Sequence, residues 1–182
     1  FDEISFDYIR FPSDGNLENT SYPHWDGKTP KSEIIKSFSA FLYETLAYLE
    51  IPISANIFGL TLWRKDDLNI GQTYENFLPY FDFVHPMVYP SHYPKGFNGF
   101  KNPAEHPYEI IYDGMVRARD RAIIATSSPD KIRPWIQDFD IGADYDASMI
   151  KKQKQAAYDT GLDSWLSWNA SNRYTEGGYK EN

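Results

Sequence analysis

The chain has 182 residues, 41% hydrophobic and 24% charged, which is enough apolar material for one packed core and excludes a disordered chain. A formal net charge of −8 with scattered Lys and Arg excludes the clustered basic surface that a nucleic-acid partner requires. With no Cys there is neither a disulfide nor a thiolate metal site, and no apolar run approaches the ~18 residues of a membrane span.

Short β-like runs alternate with longer amphipathic ones, the pattern of βα units on a parallel sheet. Residues 1–11 alternate apolar and polar groups and read as a strand, stopped by the turn cluster Pro12-Ser13-Asp14-Gly15. After a loop to Lys28, Thr29 as N-cap and Pro30 at the first helical position open a helix with Ile34, Ile35, Phe38, Phe41, Leu42, Leu46 and Leu49 at helical spacing. Residues 52–58 form a strand closed by Gly59, residues 72–78 a short helix, and residues 81–89 a third strand. A long loop over residues 90–107 leads to a helix over 108–124. A strand over 131–136, a helix over 147–158 and a last strand over 163–168 follow.

Five strands with crossover helices fall short of a complete (β/α)₈ TIM barrel, which has eight strands in ~250 residues. The expectation is a single domain over residues 1–182 forming the C-terminal portion of such a barrel, strands 4 to 8. The first residue is Phe1 rather than Met, which reads as an excised piece with any signal or anchor upstream. An open doubly wound sheet is the other architecture, but it lacks here its usual Gly-rich phosphate turn.

Barrel chemistry sits at the C-terminal ends of strands. That rule selects Asp7 and Arg10 after the first strand, Asn56 on the second, Tyr89 and His92 after the third, Gln137 and Asp138 after the fourth, and Trp168 and Asn169 at the end of the fifth. Asp7 lies in an apolar run where an unpaired carboxylate is costly to bury, and Arg10 is its expected partner, holding it ionised; the bland alternative is a structural ion pair. Two carboxylates, Asp7 and Asp138, suit glycosidic hydrolysis, in which one carboxyl protonates the leaving oxygen and the other acts as nucleophile or activates water. Aromatic residues make up 17% of the chain, and Tyr89, Trp135 and Trp168 are candidate platforms for the C–H face of a sugar.

His24, His85, His92 and His106 are scattered, with no H-x-H or H-E-x-x-H. The acidic run Asp138, Asp140, Asp144 and Asp146 lacks calcium-loop spacing and reads as a solvated loop capping the next helix. No metal or cofactor is expected, and no G-x-S-x-G supports a serine nucleophile.

Taken in order, FDEISFDYIRFPSDG, PISANIFG, FVHPMVYPSHY, RPWIQDF and GLDSWLSWNASNRYT resemble a bacterial family of glycosyl hydrolase domains, formerly of unknown function, over almost the whole chain. The resemblance implies a TIM-barrel glycosidase-like domain, secreted or anchored at the bacterial cell surface, acting on polysaccharides through the site positions named above. Similar sequences read S-A-D-x-F-G in the second strand, where this chain has Asn56, and an amide cannot transfer a proton as a carboxylic acid does. A catalytically silent barrel that binds cell-wall or capsule glycans is therefore the second reading, and a metal-dependent amide or ester hydrolase the third. The partner expected is a carbohydrate, with no nucleic acid and no membrane contact from this segment.

Overall fold

The computed structural model describes residues 1–180. Five strands, β1 (Ile4–Phe6), β2 (Ile53–Phe58), β3 (Phe83–Met87), β4 (Trp135–Gln137) and β5 (Leu166–Trp168), lie in chain order in one sheet, and every neighbouring pair is parallel. Parallel neighbours need crossovers. These contain the helices α1 (Lys31–Leu46), α2 (Tyr74–Phe77), α3 (Pro107–Ile124) and α4 (Ala147–Asp159). On one face of the sheet Ile53, Ala55, Ile57, Val84, Ile132 and Ile136 join a core with Ile35, Tyr74, Ile110, Met115 and Ile150 from the helices.

Strand residues alternate between faces, and partners in a parallel ladder share one. The pairs Asn56↔His85, Met87↔Trp135 and Gln137↔Trp168 therefore line the second face. Arg133 Nη1 donates to Glu3 Oε2 at 2.7 Å, a bond that ties the segment preceding β1 to the approach to β4 across the intervening strands. The sheet is curled, a half-barrel with a concave polar side.

The strands are shorter than their sequence patterns. β1 ends at Phe6 rather than running to residue 11, because Tyr8 turns into the left-handed region at φ 57° and Arg10 N–H bonds back to Tyr8 C=O. β4 begins at Trp135, because Pro134 has no N–H to give the ladder, and Ile132 makes only an isolated bridge to Val84. Residues 163–165 likewise lie outside β5. Thr29 does not cap α1: Pro30 occupies that position, and the Thr29 hydroxyl donates to Asp26 instead. The apolar stripe of α1 divides, with Ile35 and Leu42 buried while Phe38 and Phe41 stack on each other in solvent. Asp146 caps α4 as expected, accepting from Ser148 and Met149 N–H.

Two buried glutamines replace ladder bonds where the strands part. Gln153 of α4 accepts from Gln137 N–H and donates to Gln137 C=O, both at 2.8 Å. Gln72 accepts from Phe58 N–H at 2.8 Å and donates to the carbonyls of Ile9 and Asn56 at 3.1 and 3.4 Å. Each amide satisfies backbone groups that would otherwise be buried unpaired. Gln153→Leu should lower the unfolding free energy by about 2–6 kcal/mol, at about 1–3 kcal/mol for each of two stranded backbone groups. Urea unfolding checks this, and a loss below about 1 kcal/mol would mean that β4 finds other partners.

Candidate functional site

The C-terminal ends of the strands bring together most of the residues selected from sequence. Tyr89, just past β3, is almost fully buried and packs edge-on against His92 and Phe139. Burial raises its phenol pKa, and the nearby charges of Asp7 and Tyr174 push it the same way, which places Asp7 at this end. Gln137 Oε1 accepts from Ser91 N–H at 3.1 Å and its Nε2 donates to Phe139 C=O at 2.8 Å, tying the loop after β3 to the loop after β4. His92 shares a 3.1 Å hydrogen bond with Ser91 Oγ, and burial lowers its pKa.

Asn56, Trp135 and Trp168 form a second group. Trp135 Nε1 donates to Asn56 Oδ1 at 2.8 Å, and its ring stands edge-on to Trp168 at 6.0 Å. Trp168 remains 43% exposed, so its ring is open to a ligand. The amide oxygen of Asn56 is already committed to the indole.

The two carboxylates selected from sequence sit in opposite environments. Asp7 is exposed and accepts from Tyr8 N–H at 2.8 Å, and no ion pair joins it to Arg10 among the described residues. The expected pairing fails because the turn at Tyr8 separates the two side chains: Arg10 Nη1 donates to Phe11 C=O and Ser13 Oγ, and the guanidinium packs on the rings of Tyr8 and Phe58. Asp138 is 1% exposed, with Oδ1 accepting from Thr175 Oγ1 at 2.7 Å and Oδ2 accepting from Thr175 N–H at 2.8 Å and Tyr179 OH at 2.7 Å. Burial raises the Tyr179 pKa; the Ser167 hydroxyl works against this, and the Asp138 carboxylate adds to the rise.

Asp138 thereby anchors the segment after β5, and Asn169 reinforces it by donating to the carbonyls of Asp138 and Arg173 while accepting from Ser171. Between this segment and the loop after β4 lies a cleft of about 280 Å³, lined by Phe139, Asp140, Asn169, Ser171 and Arg173 among others. Thr175, Tyr174, Tyr179 and the two glutamines were not selected from sequence. Gln153 had a signal, being a polar residue on the apolar face of α4 with Ile150, Ala156 and Ala157. Thr175 and Tyr179 had none, because they lie beyond the last strand.

Deeper on the concave face, His85 is fully buried with Glu3 Oε1 3.7 Å from Nε2. Burial lowers its pKa to about 4; Glu3 opposes the shift and Arg133 adds to it. The proximity of Glu3 does not make an ion pair, because desolvation outweighs it. Ser54 Oγ, both His85 nitrogens and Arg133 Nε have no hydrogen-bond partner among the described residues. Among these residues no three His, Asp or Glu side chains are grouped as metal ligands would be.

Residues 1–174 match the family described as "Putative glycosyl hydrolase domain". A search of curated proteins gives no match. Among solved structures, the spore cortex-lytic enzyme SleL of Bacillus megaterium QM B1551 is similar at TM-score 0.60 and 13% identity, over 98% of this chain and 48% of that one. SleL of Bacillus cereus gives TM-score 0.58 and 12% identity over 98% and 48%. The PgaB (BpsB) glycoside hydrolase domain of Bordetella bronchiseptica gives 0.57 and 17% over 76% and 37%. The chain spans less than half the length of these structures, and the likeness is one of fold.

The neutral state of His85 has a sign that can be measured. Its folded pKa, about 4, lies below the ordinary 6.5, so between these values the unfolded chain binds a proton that the folded chain does not. Stability conferred by the neutral ring is complete above pH ~6.5 and is lost as pH falls toward ~4, by up to about 1.4 kcal/mol per pH unit. Urea unfolding of the wild type and His85→Asn across this range should show the steeper loss in the wild type. Parallel profiles would mean that His85 is protonated in the fold.

Proposed function

This chain belongs to the glycosyl hydrolase domain family that its sequence matches, and on that premise we propose that it is strands 4 to 8 of a (β/α)₈ barrel hydrolysing O-glycosidic bonds of a polysaccharide. The in-order parallel sheet with two open edges supports the barrel, as does the greater length of the similar structures. The observation that carries the chemistry is the unequal exposure of the two carboxylates. Asp7 stands exposed just past the C-terminal end of β1, where a carboxylate can attack the anomeric carbon or stabilise the positive charge that develops there as the C–O bond breaks. Asp138 has both oxygens taken by donors and serves in this conformation to position the wall that carries Asn169 and Arg173. The proton for the leaving oxygen then comes from a carboxylic acid elsewhere in the barrel.

Trp168, with Trp135 behind it, forms the platform for a sugar ring, and Tyr89, His92, Gln137 and Asn169 shape the mouth. Polysaccharide as substrate goes with a protein exported to the outside or surface of a bacterial cell.

Asn56 favours a second reading, a glycan-binding barrel without turnover, because an amide stands where similar sequences carry Asp and its oxygen is held by Trp135. One assay separates the two. The full-length protein is incubated with bacterial and plant polysaccharides and reducing ends are measured. Release of sugar, reduced about 100-fold or more by Asp7→Asn, is the expected result. Full activity in that variant would overturn the role of Asp7. Retained glycan binding with no release would establish the silent barrel.

A further inference from the structure

The guanidinium of Arg10 is held in place and left with open donors. It lies 4.8 Å from the centre of the Tyr8 ring and 4.7 Å from that of Phe58, so both rings fix its position. Nη1 donates to Phe11 C=O at 3.2 Å and Ser13 Oγ at 3.4 Å, while Nε and Nη2 have no hydrogen-bond partner among the described residues. In a chain with 26 acidic residues, arginines 64, 117, 121 and 133 each pair with a carboxylate; Arg10, Arg119 and Arg173 pair with none among the described residues, and of these three it is Arg10 whose guanidinium is stacked on aromatic rings. Phe58 shares the concave face with Asn56, two residues before it on β2, which puts the stacked guanidinium at the mouth rather than on the helix side.

A fixed, planar, always-charged fork with unused N–H groups has one chemical complement, a pair of oxygens on an anion. We propose that Arg10 binds a carboxylate or phosphate group on the glycan, making the substrate of this site an acidic polysaccharide. The inference rests on the carbohydrate reading above and narrows it. Tyr8 and Phe58 supply the rigidity, so that little side-chain entropy is lost when the anion docks.

The test measures binding of the full-length protein to three probes: an oligogalacturonide carrying carboxylates, a phosphorylated mannan oligosaccharide and a neutral cello-oligosaccharide. An acidic probe should bind at least about tenfold more tightly than the neutral one, with the preference falling as salt is raised. Whichever acidic probe binds identifies the anion. Arg10→Gln should abolish the preference while leaving the circular dichroism spectrum and unfolding midpoint intact. Arg10→Lys, which keeps the charge but loses the fork, should restore only part of it. Equal binding of neutral and acidic probes, or an acidic preference unchanged in Arg10→Gln, would overturn the proposal and leave the hydrolase reading standing. Failure of all three to bind would count against both.

Discussion

Parallel strands must part at their C-terminal ends if a mouth is to form, and every backbone group released by that parting must find a partner. Gln72 and Gln153 meet this constraint. Each reaches into a gap between strands and bonds both donor and acceptor groups of the main chain, a task for which the two-ended primary amide is suited. Without them the N–H of Phe58 and both backbone groups of Gln137 would be buried without these partners. At the opposite end the same need is met differently: Asp82 accepts from Ile53 N–H, and Lys131 Nζ donates to the carbonyls of Leu78 and Phe81.

The curl brings polar side chains from well-separated strands onto one concave surface. Its deeper level holds the Glu3–Arg133 pair, neutral His85 and Ser54, with unpartnered atoms of a kind that folded interiors seldom tolerate. These groups have the character of an interior layer and not of a finished surface.

The fold was largely readable from residue pattern, because alternation of period 2 and helical spacing report burial directly, and each of the five strands and four helices overlaps the segment they mark, with β4, α3 and α4 passing its bounds by one residue. What failed was local. The Asp7–Arg10 pair looked inevitable from spacing along a strand, but the strand stops at Phe6, and no pattern announces that an aromatic residue will take a left-handed backbone. Asp138 was selected as a reacting carboxylate from its place after β4, and what the sequence did not show is how it is held. Its carboxylate bonds to Thr175 and Tyr179, about 40 residues away, and such contacts leave no local trace. The glutamines were readable in principle, since a polar side chain on the apolar face of a helix must bond to something buried.

The turn at Tyr8 deserves its cost in these terms. A tyrosine at φ 57° is strained by about 1–2 kcal/mol relative to ordinary backbone. The strain is offset locally by Tyr8 N–H bonding to Asp7 Oδ1 and by the Tyr8 ring packing under Arg10. A plain extension of β1 would leave Asp7 and Arg10 free to neutralise each other along one strand. The turn instead leaves the Asp7 carboxylate and the Arg10 guanidinium without an ion pair between them, the first bonded to Tyr8 N–H and the second stacked on Tyr8 and Phe58. An exposed strand-end carboxylate and a stacked arginine with no ion-pair partner among the described residues thus stand three positions apart, which suits the separate roles proposed for Asp7 and Arg10.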